Sequence, residues 1–238
     1  LAKARLPETE TPMYTLHYAP DNASMIIRLV LQEAALPYCV ALVDHSTRAQ
    51  DSAAYRHLNP GGLIPALETP HGPLFETGAI LLWLADRHHL GPKADAANRG
   101  DFLKWLFFIS NTAHTDLRQL FYPDQYVPKD AVSGHHALLS ARMKRHFTLL
   151  DQAAAAHPDL FTPPSILFAY IAALMRWAVL YPKHQTPWFH LPDYPHLARL
   201  AAALENRPAA QHITTAEGLG KTPFSAPSYA IPPEGSAL

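Results

Sequence analysis

Residues 58–86 read Leu58-Asn59-Pro60-Gly61-Gly62-Leu63-Ile64-Pro65-Ala66-Leu67-Glu68-Thr69-Pro70-His71-Gly72-Pro73-Leu74-Phe75-Glu76-Thr77-Gly78-Ala79-Ile80-Leu81-Leu82-Trp83-Leu84-Ala85-Asp86. Three physical signals share this stretch. Ile64-Pro65 lies between a Gly-rich turn and a short apolar run, and an X-Pro bond adopts the cis form at low cost, usually in a tight turn. Ala66-Leu67-Glu68 and Leu74-Phe75 flank Thr69-Pro70-His71-Gly72-Pro73, a set of turn residues that predicts a hairpin. Glu76-Thr77-Gly78 opens an apolar helix through Asp86. Its first N–H groups lack intrahelical partners and carry a partial positive charge, which suits a carboxylate ligand.

Working outward toward the N-terminus, Leu1–Pro12 reads as a loose arm. Tyr14–Tyr18 reads as a strand, Ala19-Pro20-Asp21-Asn22 as a turn and Ala23–Ala35 as a helix that Pro37 ends. Cys39–Val43 is an apolar strand and Ser52–Leu58 a brief helix or turn. The first third thus predicts β-α-β-(α)-β-β-α. Toward the C-terminus strand signals stop after a Gly/Pro/Ala/Asp-rich linker near residues 91–98. Helices are expected over Arg99–Tyr122, Lys129–His157, Ser165–Tyr181, Pro195–Asn206 and Pro208–Glu217. The third is apolar nearly all round, which places it at the centre of a bundle. Residues 218–238 carry Pro223, Pro227, Pro232 and Pro233 and read as an extended tail.

Residues 58–86 resemble the second half of the N-terminal domain of glutathione S-transferases, a thioredoxin-like fold, and the all-helical remainder resembles that family's second domain. Phe102-Leu103-Lys104-Trp105-Leu106-Phe107-Phe108 and Leu174-Met175-Arg176-Trp177 are similar to bacterial members. The likeness spans roughly residues 13–217. It implies an α/β thioredoxin-like domain (13–90) followed by an all-α bundle (99–217). It also implies glutathione as co-substrate, a small hydrophobic electrophile as second substrate, a role in detoxification, and a homodimer.

The resemblance also assigns residues. Ile64, preceding Pro65, would pair its backbone with the cysteinyl part of glutathione, and Glu76 and Thr77 would hold the γ-glutamyl end. The bland alternative is that Thr77 caps the helix and Glu76 favours its dipole. Glutathione chemistry needs a thiolate, and a free thiol with a pKa near 8.5 supplies little of it at neutral pH. Members of the family place a Tyr, Ser or Cys just after the first strand to stabilise it. Where one bacterial class has Pro-x-Ala-Cys-Ser, this chain has Pro20-Asp21-Asn22-Ala23-Ser24, so Ala23 stands at the cysteine position. Ser24 is the expected hydroxyl donor, with Asn22 and Tyr18 as neighbours able to donate; a capping role for Ser24 is the plain alternative.

Phe108, Asn111, His114 and Arg118 on the Arg99–Tyr122 helix are the expected lining for the electrophile, with core packing and solvent exposure as the alternatives. Two departures from the family pattern stand out. Leu63 occupies a place where many members carry a basic or polar residue, and Ser165-Ile166-Leu167-Phe168 lacks the acidic partner of the usual capping box at the central helix.

Composition narrows the classes. A net charge of -1 and a pI near 7.0 give no electrostatic footprint for nucleic acid or an acidic membrane face. The one cysteine, Cys39, excludes an internal disulfide and a Cys-x-x-Cys pair. Fifteen histidines show no metal-binding spacing, so no metal is expected. Residues 166–181 fall short of a membrane span and Leu1–Pro12 lacks a signal-peptide core, so a soluble cytoplasmic protein is expected. Peroxide reduction, dehalogenation or isomerisation with glutathione, and a non-catalytic interaction module, remain as alternatives to transfer.

Overall fold

The computed structural model describes residues 13–237; the expected N-terminal arm lies outside them. Four strands, β1 (Tyr14–Tyr18), β2 (Tyr38–Leu42), β3 (Ala66–Thr69) and β4 (Gly72–Phe75), form one sheet in the order β2-β1-β3-β4. β1 and β2 are parallel, joined over helix α1 (Ser24–Glu33). β3 pairs antiparallel with β1 and turns back into β4 through the expected hairpin. A short helix α2 (Ala53–Leu58) precedes β3, and α3 (Thr77–His88) follows β4. This is the thioredoxin-like order with a helical half behind it.

Alternation decides which face of β1 turns inward. Tyr14, Leu16 and Tyr18 are buried under α1 and α3, while Thr15 and His17 point to the α2 side. α1 is buried along most of its length because it packs on α3 on one side and on the helical half on the other.

The helical half comprises α4 (Arg99–Phe107), α5 (His114–Phe121), α6 (Val132–Ala156), α7 (Leu167–Leu180), α8 (Pro195–Glu205) and α9 (Pro208–Glu217). α7 is buried on every side and sits at the centre, as its all-round apolarity requires. At its start Ile166 stands in the cap position. Ser165, one residue earlier, donates its hydroxyl to Leu160 O at 2.6 Å and accepts from Leu167 N at 3.4 Å, so it satisfies one N–H of the first turn without an acidic partner.

One correction affects the site. Arg99–Tyr122 is not a single regular helix: a π-helical segment, Phe108–Ala113, joins α4 to α5. A π turn takes in an extra residue and rotates the faces that follow, and such turns recur at functional sites. The face expected to carry Asn111, His114 and Arg118 together is therefore split.

Among the described residues, the tail beyond α9 has no helix or strand, yet it is held at many points. Phe224 is buried, Phe224 N and Ser225 N both donate to Glu205 Oε1, and Ile231 N donates to Gly218 O at 2.9 Å. The chain then runs back to the sheet, where Tyr18 donates its hydroxyl to Glu234 and Gly235 lies against Leu42 at the end of β2.

Candidate active site

Register brings the expected segments together. His17 pairs with Ala66, and Ala66 pairs with Phe75. The residues just beyond this row are therefore neighbours at one end of the sheet: the β1–α1 loop, Ile64-Pro65, and Glu76-Thr77. The Ile64-Pro65 bond is cis. The turn before it is tied down by the carbonyl of Leu63, which accepts from Tyr55 Oη and Asn59 Nδ2, both at 2.7 Å. The Leu63 side chain is half exposed and takes no part in this scaffold.

At the start of α3, Glu76 has φ 69°, a left-handed backbone that a glutamate holds only when its surroundings require it. Glu76 stands at the cap position and makes no side-chain capping bond, and Thr77, inside the first turn, makes no side-chain hydrogen bond among the described residues. The simple capping reading of this pair fails, leaving an exposed carboxylate and a threonine hydroxyl beside an uncapped helix start. The π segment borders them from the helical half: Ser110 lies so close to Gly78 that an added Cβ there would sit 3.1 Å from Ser110 Cβ.

The β1–α1 loop corrects the expectation for Ser24. Its side chain is fully buried, its hydroxyl donates to Ala19 O at 3.0 Å and accepts from Ala19 N at 3.2 Å. The hydroxyl hydrogen is thereby committed to the loop, and α1 has no side-chain cap at all. Ser24 staples the loop to itself and does not cap α1. Tyr18 is likewise committed: its ring is buried beneath Arg28, and burial together with Glu234 pushes its hydroxyl pKa upward.

Asn22 is placed differently. It is half-buried, and its Oδ1 accepts from Ala23 N at 2.7 Å, which fixes the amide orientation. Nδ2 therefore points the other way, 3.4 Å from His45 Nε2. Burial lowers the His45 pKa, so the ring stays neutral at physiological pH and its Nε2 can accept one amide hydrogen. The second amide hydrogen is left for a ligand.

The four expected electrophile contacts separate. Asn111 is exposed on the π segment. His114 turns inward, with Nδ1 2.9 Å from Tyr170 Oη and its ring against Trp177; burial and Arg118 push its pKa down to about 4. Phe108 packs edge-on against Trp105 and His146. Arg118 covers Tyr122 and Tyr126 and donates to Gln125.

Sequence reasoning missed a buried charge cluster behind the loop. Asp21 receives Arg176 Nε at 2.7 Å, Arg176 Nη2 at 2.8 Å, Trp177 Nε1 at 3.0 Å and Tyr181 Oη at 3.0 Å. Glu217, at the end of α9, accepts from Asp21 N and from Arg28, and burial pushes its carboxyl up to about 7. The available signal was Arg176 inside an apolar run, because a buried guanidinium demands a carboxylate.

Residues 23–87 match the family model of the glutathione S-transferase N-terminal domain. Over this part the chain is similar to the glutathione S-transferase superfamily. Glutathione S-transferase GstA of Escherichia coli O157:H7 is 28% identical over 210 residues, covering 86% of this chain and 98% of its own length. The glutathione transferase of Burkholderia graminis, whose crystal structure holds two glutathione molecules per subunit, matches with a TM-score of 0.70 at 27% identity, over 87% of this chain and 89% of that one. Disulfide-bond oxidoreductase YfcG of Escherichia coli K12 is 35% identical over 104 residues, which cover 40% of this chain and 48% of its own length.

Proposed function

We propose that the protein is a glutathione transferase that ionises the glutathione thiol and adds it to a small hydrophobic electrophile. The observation that carries this reading is the meeting, at one sheet end, of the Asn22 amide, the cis Ile64-Pro65 turn and the uncapped Glu76-Thr77 helix start. Thr77 and the first N–H groups of α3 receive the γ-glutamyl carboxylate, Glu76 its ammonium group, and the Ile64 backbone the cysteinyl amide. The Asn22 amide donates to the sulfur. A donor aimed at developing negative charge lowers the thiol pKa, and holding both reactants supplies the rest of the acceleration. Asn111, on the π segment beside Gly78, borders the electrophile.

The match to GstA over nearly its whole length supports transfer. YfcG favours a second reading, in which the same bound thiolate attacks a disulfide. Both need the same site. Exposed Phe75 on β4 and Phe107 on α4 suit burial against a second copy, and a homodimer is our expectation for the assembly. A reduced thiol co-substrate suits the cytoplasm, and conjugation of electrophiles serves detoxification there.

The test is calorimetric titration with glutathione beside thiolate absorbance against pH, for the wild type, Asn22→Ala and Ser24→Ala. Binding with a thiol pKa below 8.5 that rises in Asn22→Ala supports the assignment. Binding without a pKa shift refutes thiol activation. Absence of binding refutes the transferase reading and favours an interaction module.

A further inference from the structure

Asp21 directly precedes Asn22, yet its side chain faces away from the glutathione site. It holds a left-handed backbone, φ 51°, and is 5% exposed. Both carboxylate oxygens accept two hydrogen bonds, all four from α7 or the residue just after it. Its backbone N–H goes to Glu217 at 3.1 Å. The loop that carries Asn22 is thus fastened to the helical half at two adjacent points, while on its own side the Asn22 carbonyl accepts from Met25 N at 2.8 Å and its side chain has a 3.4 Å contact to His45 and the bond to Ala23 N.

Arg176 extends this fastening. With the edge not given to Asp21 it donates to the carbonyls of Leu219 and Pro223 through Nη1, at 3.3 and 3.1 Å, and to Ser228 through Nη2 at 3.0 Å. One guanidinium therefore grips the loop before α1 and three points of the C-terminal tail. Tyr181, which holds Asp21 Oδ2, packs against Tyr229 of that tail and with it lines a cavity of about 320 Å³.

We propose that Asp21 is a positioning residue for thiol activation: Arg176, Trp177 and Tyr181 hold its carboxylate so that the Asn22 amide keeps its place relative to the sulfur. This rests on the transferase reading. A buried, fully paired carboxylate confers direction because a shift of one of its donors leaves polar groups unpaired, which the interior resists. A misplacement of about 1 Å at a reacting centre costs on the order of a hundredfold in rate, so a small tilt of this loop is visible in turnover.

Tyr181→Phe removes one donor and keeps the ring that meets Tyr229. Asp21→Asn removes the charge with a residue type that tolerates a left-handed backbone. Both full-length variants are compared with the wild type for the pH titration of bound glutathione, for kcat and KM with an activated aryl chloride, and for thermal melting. The expected result for Tyr181→Phe is a thiol titration midpoint moved up toward that of free glutathione and kcat lowered about tenfold. Its KM for glutathione stays within about twofold, because the γ-glutamyl end is held elsewhere. Asp21→Asn shifts the midpoint further if it folds. A lower melting temperature with unchanged midpoint and kcat overturns the positioning role while the transferase reading stands. A wild type that binds no glutathione overturns both.

Discussion

Replacing Arg176 by methionine tests the buried cluster as an energetic unit. Methionine is similarly long and apolar, so the perturbation is mainly polar. It leaves Asp21 charged, with only Trp177 and Tyr181 as side-chain donors, and it removes the donors to Leu219 O, Pro223 O and Ser228 O. Arg176 and Asp21 side chains are both 0% exposed, so water cannot substitute. Breaking a buried ion pair at one partner costs about 3–5 kcal/mol. Domain stabilities are about 5–15 kcal/mol, so the variant is expected to be marginal. Urea unfolding followed by circular dichroism measures the loss. The double variant Arg176→Met, Asp21→Asn removes both charges and should regain about 2 kcal/mol relative to the sum of the two single losses. A single-variant loss below about 1 kcal/mol, or strict additivity, would refute the view that this pair ties the two halves together.

Three further expectations concern separate parts of the molecule. Thr77→Ala removes a hydroxyl with no structural partner, so the fold should melt unchanged while the Kd for glutathione rises about tenfold, the worth of one hydrogen bond to a charged group; an unchanged Kd in calorimetry counts against the γ-glutamyl site. Gly218 has φ 64°, and a Cβ there would lie 1.9 Å from Ile231 O. Gly218→Ala should therefore push the tail away and make residues 219–237 sensitive to limited proteolysis, and a cleavage rate equal to the wild type would contradict the packing. His114 is depressed from 6.5 to about 4, so the folded state binds fewer protons than the unfolded chain between those values. Its contribution, up to about 3 kcal/mol, is complete above pH 6.5 and is lost as pH falls toward 4; His114→Gln should flatten that limb of the stability–pH curve.

Much of the fold could be read from local pattern. β1 and the ends of α8 and α9 fall within a residue of expectation, because period-two alternation, Pro at the helix starts and Gly218 after α9 are local signals. The π segment could not be read: Phe108–Ala113 continues the helical pattern with no breaker, and no sequence signal marks an extra residue per turn. That one feature separated Asn111 from His114. Ser24 failed for a related reason, since a hydroxyl at a helix start looks the same whether it faces a ligand or folds back onto Ala19. Glu76 and Thr77 were legible as a pair, but only the geometry showed that neither acts as a side-chain cap. Asp21 read as a turn residue because its partners are more than 150 positions away.

The tail can also be regarded as a ruler. Between Gly218, where Ile231 N is caught, and Glu234, where Tyr18 is met, the chain has no helix or strand to set its length. Its four prolines, Pro223, Pro227, Pro232 and Pro233, restrict the backbone before folding begins, which lowers the entropy lost when the anchors close. A stiff segment with fixed anchors measures distance in whole residues, each about 3.3 Å when extended. Lengthening it by one residue between Ser228 and Glu234 would carry the carboxylate past Tyr18 even if each side chain were kept. Spacing, as much as composition, is therefore the property of this segment that the fold reads.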